Sequence, residues 1–281
     1  MKIGCHVSIS GSIDLAFDRA KEIGCNTFQI FTKNPRSWAA KKLSSEEVEK
    51  FQQKSKNEDL YPVFAHISYL PNLASLNQEV YRKSLNSFLL EIRRCVSLSI
   101  PYFVIHSGSY KGGTFDEGFN RYISSIQKGV EEGRKKTVIL IENSVGGKNS
   151  ITGDLKSIAK VLDEINDRLV VKVCFDTCHA FGAGYDLRNE KVFSKTLDQI
   201  ESSIGLENIA VIHANDIKTG LGSRRDLHEH IGLGEIGEDG FRTMINNPYL
   251  KKIPWIIETP VNEIRGDREN ISYLLSLIRN E

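Results

Sequence analysis

The feature that most limits what this chain can become is a recurrence. Eight short runs rich in β-branched and aromatic residues are separated by stretches with helical spacing. The runs are Lys2–Ser8, Cys25–Thr32, Tyr61–Ile67, Tyr102–Ser107, Thr137–Asn143, Val171–Thr177, Asn208–Asn215 and Pro254–Thr259, and their starts lie 23, 36, 41, 35, 34, 37 and 46 residues apart. Each interval has room for a strand, a loop, a helix and a return to a parallel neighbour. Between the runs, Ser12–Ile23 carries apolar residues at Ile13, Leu15, Ala16, Ala20 and Ile23. Ser44-Ser45-Glu46-Glu47 reads as a capped helix start, and Val80–Leu98 and Asp116–Glu132 repeat the helical pattern. Near-continuous apolar strands need cover on both faces. Eight of them, without a linker or a shift in composition, predict an α/β chain forming one (β/α)8 (TIM) barrel of parallel strands over 1–281, with an open doubly wound sheet as the alternative. No G-x-G-x-x-G directly follows one of these runs, so the dinucleotide-binding form of the open sheet lacks support.

Composition narrows the class. Hydrophobic residues at 40% and charged residues at 26% exclude a disordered or fibrous chain. Lys and Arg total 37 against 36 Asp and Glu, so any nucleic-acid binding must come from a local patch rather than a global basic field. The first ten residues lack an apolar signal run, and stretches such as Val138–Ile141 are too short to span a bilayer. A cytoplasmic place, with no membrane partner, is expected. The five cysteines are odd in number, and Cys174 and Cys178 are separated by three residues, which suits reduced buried thiols better than disulfides or a zinc knuckle.

In a (β/α)8 barrel the active site lies at the carboxyl ends of the strands. Here run three ends at His66, run four at His106, run five at Glu142, run six at Asp176 with His179 beyond, run seven at His213 and run eight at Glu258. Asp226 and His228 follow two residues apart, a spacing that points both side chains the same way on an extended segment. A single histidine at a strand end is usually a hydrogen-bonded structural residue. Five of the seven histidines at such positions make a metal site the better explanation. Five imidazoles and four carboxylates exceed what one catalytic zinc needs, so two or three ions are expected. Nitrogen and carboxylate donors suit zinc first, with manganese or iron next. Three divalent ions, about +6, against four carboxylates would leave a pocket that favours an anion such as a phosphate ester.

With these residues goes a family resemblance. CFDTCHAFGAGYD (Cys174–Asp186) is the most specific stretch. It is joined in order by GCHVS near the start, FTKNPRSW from Phe31, HISYLPNL from His66, HSGS from His106, IEN from Ile141, HANDIKTGLGSRRDLHEHIGLGEIG from His213 and IIETP from Ile256. The chain resembles, end to end, the endonuclease IV family of apurinic/apyrimidinic (AP) endonucleases (AP endonuclease family 2). The resemblance implies a DNA repair enzyme with three zinc ions. His66, His106 and Glu142 would hold one, with Glu142 bridging to a second that also takes Asp176, His213 and Glu258. His179, Asp226 and His228 would hold the third. It further implies hydrolysis of the phosphodiester 5′ to an abasic site, leaving a 3′-hydroxyl and a 5′-deoxyribose phosphate, with cleaning of blocked 3′ ends as a related activity. Glu258 and Glu142 are the expected catalytic carboxylates. Leu227 stands where family members usually have Arg, and Ser107 and the Ser144–Ser150 turn also depart from the family pattern, but no ligand position is lost.

The loops suit a DNA partner. Lys33, Arg36 and Trp38 lie in one, Tyr69 and Leu70 in another, and Lys218, Arg224 and Arg225 in a third, so cations alternate with apolar wedges. By resemblance, Arg36, Tyr69 and Leu70 enter the duplex; Lys33, Arg224 and Arg225 are expected phosphate contacts. The chain is expected to act as a monomer on double-stranded DNA with abasic sites or blocked 3′ ends. Two rivals remain: a xylose-isomerase-like sugar isomerase or epimerase on the same barrel, and a damage-binding protein without catalysis.

Overall fold

A computed structural model describes residues 1–57 and 59–279. Among these residues the first half runs β1 (Ile3–Cys5), α1 (Leu15–Ile23), β2 (Phe28–Phe31), α2 (Ser45–Asn57), β3 (Val63–His66), α3 (Gln78–Leu98), β4 (Tyr102–Ile105) and α4 (Phe115–Gly133). The second half runs β5 (Val138–Glu142), α5 (Leu155–Ile165), β6 (Val171–Asp176), α6 (Thr177–Ala183), α7 (Glu190–Ser203), β7 (Ile209–His213), β8 (Asp216–Ile217), β9 (His228–Glu229), α8 (Gly237–Ile245), β10 (Trp255–Ile257) and α9 (Asp267–Ser276). The expected helices form, although α1 begins at Leu15 rather than Ser12, and the starts of α2 and α4 have local reasons. Ser44 and Glu47 exchange hydrogen bonds ahead of α2, and Thr114 and Glu117 form the same reciprocal box at α4, each pair satisfying otherwise orphaned N–H groups.

Strands β1 to β7 and β10 form one all-parallel sheet in the order β1-β10-β7-β6-β5-β4-β3-β2. Its two edges meet. His6 bridges to Gln29, the Val7 N–H donates to Gln29 O at 2.8 Å, and the Asn26 N–H donates to Ile3 O at 3.1 Å. The sheet is therefore a (β/α)8 barrel, and the open alternative is excluded. Glycine is required at the seam: a Cβ on Gly4 would lie 1.7 Å from Thr27 O, inside any allowed contact.

Strand periodicity then decides what lies where. Phe64, Val104, Leu140, Cys174, Val211 and Ile256 form a cluster of their own, apart from the larger core between sheet and helices. They fill the barrel from six strands, and the residue two positions further along each strand faces the same lumen. Those residues are His66, His106, Glu142, Asp176, His213 and Glu258. Strand β10 ends sooner than its apolar run because the chain there leaves the ladder for a side-chain partner. The Glu258 N–H donates to Asn215 Oδ1 at 2.8 Å.

The loop after β7 is ordered by β8 and β9, which pair antiparallel with Ile217 opposite His228. Beneath them the Asp216 carboxylate accepts five main-chain N–H groups, from Ile217, Gly232, Gly234, Ile236 and Gly237, at 2.8–3.2 Å. The glycine-rich GLGEIG turn thus cradles a carboxylate of its own chain. All five cysteines are free and buried, as expected. Among the described residues no helix is long and apolar enough to cross a membrane.

Gly4→Ala should force β1 and β2 apart at the closing seam and cost at least about 3 kcal/mol. Chemical denaturation measures it; a loss below about 1 kcal/mol would mean that the seam tolerates a side chain.

Candidate metal centre

Seven of the nine expected donors, His66, His106, Glu142, His179, Asp226, His228 and Glu258, line one pocket of about 380 Å³ at the carboxyl rim of the barrel, and Asp176 and His213 lie fully buried beside them. The nine sort into three sets whose donor atoms lie within 4.8 Å of one another. His66, His106 and Glu142 form one, Glu142, Asp176, His213 and Glu258 a second, and His179, Asp226 and His228 a third. Glu142 belongs to two of them. Its Oε2 lies 3.2 Å from His66 Nε2 and 3.5 Å from His106 Nδ1, while its Oε1 lies 3.0 Å from His213 Nδ1. In the third set, Asp226 Oδ2 lies 3.2 Å from His179 Nε2 and Oδ1 lies 3.1 Å from His228 Nε2. His66, Glu142, Asp176, His179 and His213 are buried, whereas the Asp226 side chain is 54% exposed and His106 42%. The pocket is thus closed at its floor and open at its mouth.

The rings are held from behind. His66 Nδ1–H donates to Ile67 O at 2.7 Å, His179 Nδ1–H to Asn143 O at 2.9 Å, and His228 Nδ1–H to Glu258 O at 2.9 Å. Each bond fixes a tautomer and leaves the Nε2 lone pair for the pocket. His213 is turned the other way: Gln29 Oε1 takes its Nε2 at 2.9 Å, leaving Nδ1 for the carboxylates. Asn215 links the ends of two strands, donating to the Asp176 carboxylate at 2.7 Å and accepting from the Glu258 main-chain N–H at 2.8 Å. Asp176 also caps α6 through His179 N at 2.7 Å, so one side chain places its neighbour in the set.

Charge in this cluster is balanced only by protons on the imidazoles. Burial opposes a charge on His213, yet the carboxylates of Glu258 and Glu142 outweigh it and push the ring up to about 9. Burial likewise opposes His228, which the neighbouring Asp226 and Cys178 raise to about 12. Against the same burial, the charges of His106 and His213 hold Glu142 well below the usual carboxylate range. Burial prevails at His106, lowered to about 4, and at Asp176, whose carboxyl is raised. A donor set that gathers this much positive charge suits divalent cations. His228 Nε2 fits that use: it is buried without a hydrogen-bond partner, although Asp226 is near, so both donors face shared space rather than each other. Cys174 and Cys178 also lie near these sets, but burial raises both thiols, which disfavours thiolate ligands. The cluster therefore fits a site for more than one metal ion, built from nitrogen and oxygen donors.

Around the mouth, Arg36, Arg224 and Arg225 are exposed, Tyr69 is 63% exposed and Leu70 is half-buried. Lys33 corrects an expectation. Only 3% exposed, its ammonium donates to Ser37 O and lies 3.9 Å from the buried Glu91 carboxylate, so it is not available to a phosphate. Two residues beside Glu258 escaped sequence reasoning. His6 leaves β1 two residues beyond Gly4, and its Nδ1 lies 3.6 Å from Glu258 Oε1. Gln29, on β2, donates to the same oxygen at 2.6 Å. The two-residue register of the shorter first strands was the signal that could have found them. His230, by contrast, is buried between Asn262 and Asn270 and serves structure.

Known proteins share this sequence and fold. Residues 17–279 match the family described as the xylose isomerase-like TIM barrel. A probable endonuclease 4 from Methanoculleus marisnigri is 44% identical over 276 residues, covering 98% of each chain. The crystal structure of endonuclease IV from Thermus thermophilus superposes with a TM-score of 0.87 at 32% identity, covering 99% of this chain and 98% of that one. A D-tagatose 3-epimerase-like protein, 19% identical with a TM-score of 0.72 and covering 98% of this chain and 96% of its own, shares the fold alone. With its sequence matched from end to end and its donors gathered at the barrel rim, the chain belongs to the endonuclease IV family.

Proposed function

We propose that this chain is a DNA repair enzyme that hydrolyses the phosphodiester on the 5′ side of an abasic site. It leaves a 3′-hydroxyl and a 5′-deoxyribose phosphate, and clears blocked 3′ ends as a related phosphodiesterase and phosphatase activity. The observation that carries this reading is the third donor set, His179, Asp226 and His228, added to the two that share Glu142. A sugar isomerase or epimerase on the same barrel manages with one or two metals and has no use for an exposed tyrosine beside arginines. The names of the relatives, endonuclease 4 and endonuclease IV, support the same side.

On this proposal three zinc ions are held, one by each donor set, with manganese or iron tolerated. When bound, the ions supply Lewis acidity to phosphate oxygens and acidify water toward neutrality. The chain's own residues do the rest. Glu258 and Glu142 accept hydrogen bonds from the attacking water and align it, a role suited to Glu258, which reaches the pocket while Gln29 and Asn215 fix its side chain and main chain. Arg36, Arg224 and Arg225 meet phosphates along the rim. Tyr69 and Leu70 fill the space left by an extruded abasic sugar, which has no base to unstack and so costs little to flip. The chain works as a monomer, one domain over 1–281, on cytoplasmic DNA.

Elemental analysis of the purified protein should find two to three zinc equivalents per chain, and stripping them with a chelator should abolish cleavage of an abasic duplex until zinc is restored. A single magnesium per chain would overturn the proposal. Glu258→Gln keeps the side-chain volume but removes a carboxylate from the nucleophile, so turnover should fall by about 10²–10⁴-fold with the fold and duplex binding retained. Near-normal rates would remove Glu258 from the catalytic residues. Replacing both Tyr69 and Leu70 by Ala should weaken abasic-duplex binding roughly tenfold or more, with the salt dependence unchanged because the arginines remain. Equal affinity at matched salt would refute the wedge.

A further inference from the structure

Glu91 lies in the middle of α3, fully buried, and no part of the hydrolysis described above uses it. Its carboxylate is nevertheless well supplied. Oε2 accepts the Ser68 N–H at 3.0 Å, and Oε1 accepts the Ser68 hydroxyl at 2.7 Å and the Ser87 hydroxyl at 3.0 Å. Lys33 Nζ lies 3.9 Å from Oε1 and donates to Ser37 O. Ser68 and Lys33 belong to different loops. Ser68 immediately precedes Tyr69 and Leu70, and Lys33 and Ser37 bracket Arg36. The two loops also touch directly, the Tyr69 N–H donating to Pro35 O at 3.0 Å, and one turn along α3 Arg94 donates to Thr32 O and Lys41 O at 2.8 Å each. Helix α3 therefore grips both loops from below through buried or half-buried charge.

A buried ion pair is weak evidence for stability, since desolvation offsets much of the attraction; its best-attested use is to fix register. Here the register in question is that of Arg36 against Tyr69. Tyr69 is anchored on one side only, its ring packed edge-on to Phe31 at 5.0 Å, and is otherwise exposed. Without a fixed base, ordering that turn would weaken binding by its entropic cost.

We propose that Lys33 and Glu91 form a buried clip that sets the spacing between the Arg36 loop and the Tyr69–Leu70 turn, making both positioning residues for engagement of the damaged duplex. The proposal rests on the wedge reading of those loops. It also explains why a lysine in a cation-bearing DNA loop is turned inward.

The test uses zinc-loaded protein and a duplex with one tetrahydrofuran abasic analogue. Glu91→Gln keeps the shape of the side chain, and Lys33→Met keeps the aliphatic stem, so each removes one charge of the clip. Either variant should raise Kd and KM for the abasic duplex about tenfold, with kcat at saturation within about threefold of wild type, the signature of lost uniform binding. Zinc content should be unchanged, as should the slope of binding against salt, because neither residue meets a phosphate. Unchanged KM in a folded variant, as judged by thermal melting, would overturn the clip. So would a reduced salt slope in Lys33→Met, which would make Lys33 a direct phosphate contact, or a joint fall of kcat and zinc content in Glu91→Gln. Wild-type protein that did not prefer the abasic over the intact duplex would instead overturn the functional reading itself.

Discussion

Glu142 is where the structure closes on itself. It ends β5 almost fully buried, and its two oxygens face different imidazoles, so two donor sets cannot be separated without removing it. An ionised carboxylate at that depth survives only because His106, His213 and His179 surround it. The same crowding would be untenable for the four carboxylates of the cluster without comparable positive charge. Protons on the rings or divalent cations are the two ways to supply it, and backbone carbonyls already hold three rings with their Nε2 atoms turned inward, which favours cations.

The barrel supplies the rigidity this demands. Each donor at a strand end stands two residues beyond an apolar side chain locked in the lumen, so packing transmits position to chemistry with no intervening loop. The third set is different, because Asp226 and His228 lie in a long connection. Order there comes from Asp216, whose carboxylate collects five N–H groups and pins the returning chain against β8 and β9. A carboxylate committed wholly to backbone thus holds the loop that presents another carboxylate to the pocket.

A barrel of this shape also occurs in sugar epimerases, so the fold does not choose the reaction. Choice lies in what the loops add. The mouth here carries exposed arginines and a tyrosine beside a cluster open to solvent on one side, a surface suited to a long anionic substrate lying across the rim.

Much of this was legible in the chain before folding. The eight-fold recurrence specifies the barrel because each apolar run can be buried only between helices and lumen, and the donors at the ends of six runs are readable because side chains alternate with period two. Their assembly into three sets was available only through resemblance, since residues as distant in sequence as His66 and Glu142 meet only once the barrel closes. His6 and Gln29 were missed because the seam between β1 and β2, not any local pattern, brings them to Glu258. Lys33 was misread for a related reason: sequence shows a cation in a loop, but whether it faces solvent depends on Glu91, 58 positions away on another element. The amino-acid sequence alone determined the architecture and the kinds of donor at the rim, because both follow from local periodicity. Which charges face the substrate and which are turned inward to hold the loops was decided only by tertiary structure, because burial and pairing are properties of neighbours that the chain acquires on folding.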